Sequence, residues 1–214
     1  MTTDELIEAL ALRGGAIDAH RVVVRRYVAA LGVGIALATF VMAVMLGPRH
    51  DFPQAAALPM FWVKLAFLAS LAILGVVAAF RVGMPAQRPS TIAPAIAAVI
   101  GSMWIVAAAA LAESPADARM PLVLGATWTS CPWLIAGLSI PVFAAVAWAM
   151  RRMAPTRLRV AGAAAGFASG ATAALVYAFH CPELAAPFLG TWYVLGILIP
   201  TAIGALLGER LFRW

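Results

Sequence analysis

The chain has 214 residues, of which 64% are hydrophobic and only 11% are charged. Soluble domains carry about 25% charged residues, so this composition excludes a globular protein with a wetted surface. The net charge of +6 at pH 7 would favour nucleic acid as the partner of a soluble protein. Here the positive side chains lie in short loops beside apolar segments, a pattern that reports membrane orientation, and we expect no direct contact with nucleic acid.

Six apolar segments follow one another along the chain, and each is long enough to cross about 30 Å of hydrocarbon. Because lipid offers the backbone no hydrogen-bond partner, such segments form helices. The sequence therefore predicts an all-α, polytopic membrane protein surrounded by membrane lipids. A short cytoplasmic amphipathic segment, residues 1–26, precedes a bundle of six transmembrane helices, residues 27–214. The predicted spans are residues 27–46, 60–80, 91–111, 132–150, 160–179 and 191–208.

The N-terminal segment carries the pattern of a short amphipathic helix. Thr2 and Glu5, three residues apart, are typical of a capping box. Leu6, Ile7 and Leu10 then fall on one helical face, which suits a groove on a partner protein or the inner membrane surface. The acidic residues near the start weigh against the membrane, where Lys and Arg are preferred, but the residues alone leave the two interpretations even.

Arginines predict the orientation of the bundle. They concentrate before the first span, in the second and fourth loops and after the last span. The positive-inside rule then places both termini in the cytoplasm of a bacterial cell and the first, third and fifth loops outside the inner membrane, in the periplasm. The arginines concerned are Arg13, Arg21, Arg25, Arg26, Arg81, Arg88, Arg151, Arg152, Arg157, Arg159, Arg210 and Arg213.

Lys64 is the one charged residue predicted to lie inside a span, about one turn from its outer end. From there a lysine reaches the headgroups with its ammonium, so we interpret Lys64 as an interfacial anchor in preference to part of a site in the bundle.

No acidic residue falls inside a predicted span, whereas proton- and ion-coupled transporters carry such residues at mid-membrane. The pattern therefore disfavours a small transporter.

Glycines recur at every fourth residue of the fifth and sixth spans. They are Gly162, Gly166 and Gly170 in the fifth and Gly204 and Gly208 in the sixth. This spacing forms a flat groove in which another helix backbone approaches closely. We expect the groove to serve packing within one monomer; the alternative is a homodimer through the Gly162, Gly166 and Gly170 face.

Cys131 and Cys181 are the only cysteines, and each precedes a proline at the predicted periplasmic boundary. Proline disfavours the helical conformation in the residue before it and readily begins a helix, so each thiol is expected at a helix end and not buried in a span. Three interpretations stay open: a structural disulfide in an oxidising compartment, an exposed redox or metal sensor, and two unpaired thiols. For a sensor, His180 and Met120 are candidate accessory ligands of a transient soft metal ion at the cysteines; no cofactor is required.

Several segments resemble the NrsF family, named for negative regulator of sigma F and composed of six-helix membrane anti-sigma factors. The resemblance covers the whole chain, and its Cys-Pro pairs and C-terminal segment are the more specific parts. The segments are residues 3–7 (TDELI), 128–133 (WTSCPW), 180–183 (HCPE), 190–193 (GTWY), Pro200, 208–210 (GER) and 213–214 (RW).

The resemblance implies that the cytoplasmic part holds an extracytoplasmic-function sigma factor inactive, and Leu6, Ile7 and Leu10 are the expected contact. It also implies that Cys131 and Cys181 respond to heavy-metal or oxidant stress, which raises the sensor interpretation above the structural one. No enzyme activity and no catalytic residue is expected. A membrane thiol oxidoreductase coupled to quinone stays as an alternative, although the closely spaced cysteine pair that such enzymes use is missing.

Overall fold

The computed structural model of the chain describes residues 2–5, 19–84 and 91–213. These ranges are built from helices and their connections, and six of the helices are long and apolar enough to cross a membrane. The predicted all-α fold with six transmembrane helices is thereby confirmed.

The helices extend beyond several of the predicted bounds. A π-helical turn, Met42–Leu46, continues the first helix, and two turns, Ala186–Phe188 and Leu189–Tyr193, lead into the last. The first span begins before residue 27 because its helix continues past the apolar segment, and the last begins before residue 191 because Pro187 starts a helical turn. The bounds are α1, Ala19–Val41; α2, Phe52–Ala56; α3, Pro59–Gly83; α4, Ile92–Glu113; α5, Ala116–Leu124; α6, Cys131–Arg151; α7, Leu158–Tyr177; and α8, Val194–Leu211.

Two short helices, α2 and α5, lie in the first and third connections, where the sequence predicted none. In α5, Pro115 precedes the first turn and Asp117 lies within it, and a carboxylate there is stabilised by the helix dipole. Trp192 Nε1 donates a hydrogen bond of 2.8 Å to the carbonyl of Val123. This bond fixes α5 against the turns that lead into α8.

The centre of the bundle is α7, which packs against α8, α3 and α6. Its buried residues are mostly alanine and glycine, and small side chains let neighbouring helices approach closely. Ser169 and Thr172 donate hydrogen bonds to carbonyls one turn earlier, so both buried hydroxyls are satisfied within the helix. Outside this core, α1 packs against α6, and α4 packs against α3 and the turn Ala186–Phe188.

The glycine face of α7 is filled by α8. A Cβ on Gly162 would overlap the carbonyl of Gly204, and one on Gly166 would overlap that of Pro200. A Cβ on Gly208 would likewise overlap the carbonyl of Leu158. The expected packing within one monomer is confirmed, and the alternative of a homodimer through the Gly162, Gly166 and Gly170 face is wrong because a helix of the same chain covers that face.

The first residues form the predicted capping box. The backbone N–H of Thr2 donates to Glu5 Oε2 at 2.8 Å, and the N–H of Glu5 donates to Thr2 Oγ1 at 3.3 Å. Leu6, Ile7 and Leu10, the predicted contact with a sigma factor, lie outside the described residues.

The spans alternate in direction, so successive connections lie at opposite ends of the bundle. We call one the cysteine end: it contains α2, α5, Cys131 and Cys181. We call the other the arginine end: it contains the last turn of α6, the first turn of α7 and the last turn of α8. At the cysteine end the N–H of Arg49 donates to the carbonyl of Phe179 at 3.0 Å, which joins the first connection to the fifth.

Candidate site around the two cysteines

Cys131 and Cys181 meet at the cysteine end. Cys131 is the first residue of α6, and Cys181 follows the last turn of α7, so the prediction that each thiol lies at a helix end is confirmed. Both are free thiols whose side chains lie close enough to interact. Both side chains are 0% exposed, so the expectation of exposed thiols is wrong: the connections of this end fold over them.

Three hydroxyl groups surround the sulfur of Cys181. Thr127 Oγ1 lies 3.8 Å from it, and the phenols of Tyr177 and Tyr193 interact with it. The Tyr193 hydroxyl is buried and has no hydrogen-bond partner within the described chain. A thiol is a weak donor and acceptor, and these hydroxyls supply the stronger dipoles of the cluster.

Lys64 of α3 is fully buried beside this cluster. Its Nζ donates hydrogen bonds to the carbonyl of Cys181 at 2.9 Å and to that of Glu183 at 3.0 Å. The ammonium also lies 5.0 Å from the centre of the Tyr193 ring, within the range of a cation–π interaction. The interpretation of Lys64 as an interfacial anchor is therefore wrong: the carbonyls that follow α7 offer it nearer partners than the headgroups do.

The surroundings of Cys181 favour its thiolate. The neighbouring Cys131 thiol, followed by the charge of Lys64 and the hydroxyl of Tyr193, lowers the pKa of Cys181 against the opposing effect of burial. The thiolate is the nucleophilic form of cysteine and the form that binds metal ions, so the lowered pKa suits Cys181 to either reaction.

Glu183 fastens the connection that carries Cys181. Its Oε1 accepts a hydrogen bond of 2.7 Å from the N–H of Ala126. Gly125, the preceding residue, has a φ of +59°, and a Cβ there would approach the Glu183 carboxylate and the Phe188 ring to within 3 Å. The turn after α5 therefore requires glycine, both for its left-handed backbone and for the close approach of Glu183.

Arg49 forms a second buried cation at this end, with 8% of its surface exposed. Its Nε and Nη2 donate to the two carboxylate oxygens of Asp51 at 2.8 and 2.7 Å. The hydrogen bond from Arg49 lowers the pKa of Asp51 to about 2. The guanidinium also lies 5.8 Å from the centre of the Phe61 ring, while its buried Nη1 has no partner within the described chain.

The candidate accessory ligands do not join the thiols. His180 Nδ1 lies 2.8 Å from the carbonyl of Gly47, and its ring packs beside Tyr177. Met120 is 64% exposed on α5. Within residues 2–5, 19–84 and 91–213, no group of three or more His, Cys, Asp or Glu side chains is arranged to hold a metal ion. The arrangement thus offers a soft cation two sulfur ligands.

Comparison with known proteins places the fold in a family. The family described as negative regulator of sigma F matches residues 10–214. A relative in Azospira oryzae, named probable anti-sigma-F factor NrsF, is 48% identical over 214 residues and covers 100% of both chains. The anti-sigma-F factor NrsF of Caulobacter vibrioides is 37% identical over 217 residues, again covering 100% of both chains. The chain belongs to the NrsF family. No solved structure matches it.

The segments that resemble the NrsF family also build the cysteine site. Residues 128–133 contribute Cys131, residues 180–183 contribute Cys181 and Glu183, and residues 190–193 contribute Tyr193. Lys64 and Arg49 belong to none of these segments. Their part in the site went unpredicted, although a lone charge within an apolar span was a signal that could have indicated Lys64.

Proposed function

We propose that this NrsF-family chain is a membrane anti-sigma factor that holds an extracytoplasmic-function sigma factor inactive. It releases this partner when an oxidant or a soft metal ion reaches Cys131 and Cys181. The two relatives described above are named anti-sigma-F factor and probable anti-sigma-F factor, which supports a sigma factor as the partner. The observation that carries the sensing function is the pairing of two free, buried thiols from different helix ends beside a buried ammonium.

The proposed orientation places the arginine end in the cytoplasm and the cysteine end in the periplasm. Arginine enrichment at one end of the bundle supports this orientation. It puts the two thiols on the oxidising side of a bacterial inner membrane. It also puts both termini, including the proposed sigma-binding residues Leu6, Ile7 and Leu10, on the side where sigma factors act.

The chemistry of sensing is the linking of two sulfurs. In oxidation the Cys131 thiol gives up its proton, Cys181 reacts as the thiolate, a two-electron oxidant takes one electron from each sulfur, and one S–S bond forms between them. A soft cation held by both sulfurs would tie the same two helix ends together. In either case the sulfur of Cys181 loses its negative charge or shares it, so the balance of charge beside Lys64 changes.

A route from the thiols to the N-terminal segment runs along α3. Near the cysteine end, Lys64 holds the carbonyl of Cys181. Towards the arginine end, the carbonyl of Val76 in the same helix accepts a 3.0 Å hydrogen bond from the hydroxyl of Tyr27 in α1. Tyr27 is buried and packs edge-on against Phe80. A change in the packing of α3 would therefore reach α1, which continues towards the sigma-binding segment.

Co-purification of the sigma factor tests this function. The full chain, carrying an affinity tag and extracted in mild detergent, should recover a sigma factor that mass spectrometry identifies. Leu6→Asp or Leu10→Asp should lower the recovery at least tenfold, because burial of one leucine contributes about 1.5–3 kcal/mol and about 1.4 kcal/mol is a factor of ten. Ala154→Asp adds the same charge to an exposed loop position at the arginine end and should leave the recovery unchanged.

Two outcomes would contradict the proposal at different levels. If the unaltered chain recovers no sigma factor, it is not an anti-sigma factor. If the two leucine variants accumulate normally and still recover and repress the sigma factor, the N-terminal segment is not the contact.

A further inference from the structure

A groove of about 690 Å³ opens at the arginine end, between the start of α7 and the end of α8. Four arginines line it, Arg157 just before α7, Arg159 in its first turn, Arg210 in the last turn of α8 and Arg213 just after it, together with one carboxylate, Glu209. The groove lies at the opposite end of the bundle from the two cysteines, and the sensing chemistry does not use it.

The charges of this groove are unbalanced. Arg159 Nε pairs with Glu209 Oε1 at 2.7 Å. Arg157, Arg210 and Arg213 form no ion pair with a carboxylate in the described ranges, so three positive charges lie around one cavity. Like charges held close together repel one another, and an anion between them relieves that repulsion. Guanidinium groups bind phosphate oxygens with paired hydrogen bonds, so a phosphate is the anion that this lining suits.

An exposed apolar strip continues from the groove along the two helices. Val160 lines the groove and is 43% exposed, and on α8 Leu206 and Leu207 are 80% and 37% exposed. Leu206 precedes Arg210 by four residues, so the two side chains share one face of α8. Because α7 and α8 are both long and apolar enough to span a membrane, this strip would face the hydrocarbon of a bilayer, with the arginines at the level of the headgroups.

We propose that the groove binds the headgroup of an anionic phospholipid, with its phosphate among Arg157, Arg210 and Arg213 and an acyl chain along Val160 and Leu206. Basic pockets between transmembrane helices are suited to such headgroups. The continuity between the charged groove and the apolar strip favours a lipid over a soluble phosphate or a segment of a protein, because neither of these needs the strip.

The site lies directly beside a close backbone contact between α7 and α8. Gly208 of α8 packs against the carbonyl of Leu158, the first residue of α7. A headgroup that bridges Arg157 and Arg210 therefore ties the two helices together where their backbones touch. Bound lipid should therefore raise the melting temperature of the protein, which can be measured.

The test compares two double variants of the full-length protein in detergent. Arg157→Gln with Arg210→Gln removes two charges from the groove. Arg25→Gln with Arg151→Gln removes two charges from exposed positions at the same end but outside the groove. Each protein is titrated with cardiolipin and, separately, with phosphatidylcholine, while the melting temperature and the retained lipid are followed by a thermal-shift assay and by native mass spectrometry.

We expect cardiolipin to stabilise the unaltered protein and the Arg25/Arg151 control alike, and its apparent affinity to fall at least tenfold in the Arg157/Arg210 variant. Equal loss in both variants would overturn the proposal in favour of diffuse attraction to the surface. An equal thermal shift from millimolar inorganic phosphate would identify a free anion as the ligand. Retention of lipid by the groove variant, together with loss of the sigma factor when the same variant is used in the co-purification described above, would assign the groove to the protein partner. Should the double variant fail to fold, Arg213→Gln, which lies beyond the end of α8, provides the same comparison.

Discussion

Lys64 Nζ donates a hydrogen bond of 2.9 Å to the backbone carbonyl of Cys181, 117 residues further along the chain. The carbonyls that follow a helix have no partner within that helix, and inside a membrane protein each one that stays unpaired is costly. Lys64 satisfies two of them, at Cys181 and Glu183, and brings its charge beside the sulfur. One side chain therefore both fixes the backbone of the connection and sets the electrostatics of the thiol.

Replacement of this lysine should affect stability and reactivity together. In Lys64→Met both carbonyls lose their donor, and an unpaired buried acceptor costs about 1–3 kcal/mol, so the melting temperature in detergent should fall. The thiolate of Cys181 also loses a nearby positive charge, so alkylation of Cys181 by a small thiol reagent at neutral pH should slow. Val63→Met, a neighbouring change at a partly exposed position, should alter neither quantity. Unchanged alkylation in Lys64→Met would show that the ammonium does not act on the sulfur.

The sequence predicted the helices of this protein but not the role of Lys64. Composition and span length predicted six helices, and the Cys-Pro pairs placed Cys131 and Cys181 at helix ends. The burial of Lys64 depends on the carbonyl of Cys181, a contact between distant parts of the chain that no local pattern encodes. The same holds for Arg49, which the sequence placed in a loop and the fold buries against Phe61. In both cases the sequence located the cation along the chain, and tertiary packing decided its surroundings.

Glycine spacing predicted the close packing of α7 correctly, because the alignment of glycines on one helix face depends only on the regular geometry of that helix. Gly166→Ala would place a Cβ on the carbonyl of Pro200, so α7 and α8 would have to move apart. Overpacking of this kind costs about 1–3 kcal/mol, and the melting temperature should fall accordingly. Gly101→Ala in α4, where the new Cβ would meet no atom within 4 Å, should be neutral or slightly stabilising. Equal effects of the two changes would show that α7 and α8 do not make this contact.

The proposed orientation can be tested with single cysteines. Because Cys131 and Cys181 are buried, labels should be directed to exposed positions in a Cys131→Ser and Cys181→Ser background. A membrane-impermeant maleimide applied to intact spheroplasts should label Met120→Cys at the cysteine end and spare Thr156→Cys at the arginine end, since both original residues are exposed. Both should be labelled after lysis. The opposite pattern would invert the orientation and place the thiols in the cytoplasm.

If the two thiols act together as a switch, the effects of replacing them should not add. Cys131→Ser and Cys181→Ser should each abolish induction of the sigma-dependent genes by oxidant or metal, measured with a promoter reporter, and the double variant should match the single ones. A link needs both sulfurs, so loss of the second adds nothing once the first is gone. After oxidant treatment of the unaltered protein, mass spectrometry should find the peptides of Cys131 and Cys181 joined. Met120→Leu removes an exposed thioether and should leave induction intact if the two sulfurs suffice. Normal induction in both serine variants would eliminate the thiol pair as the sensor, whereas loss of induction in Met120→Leu would add its thioether to the site.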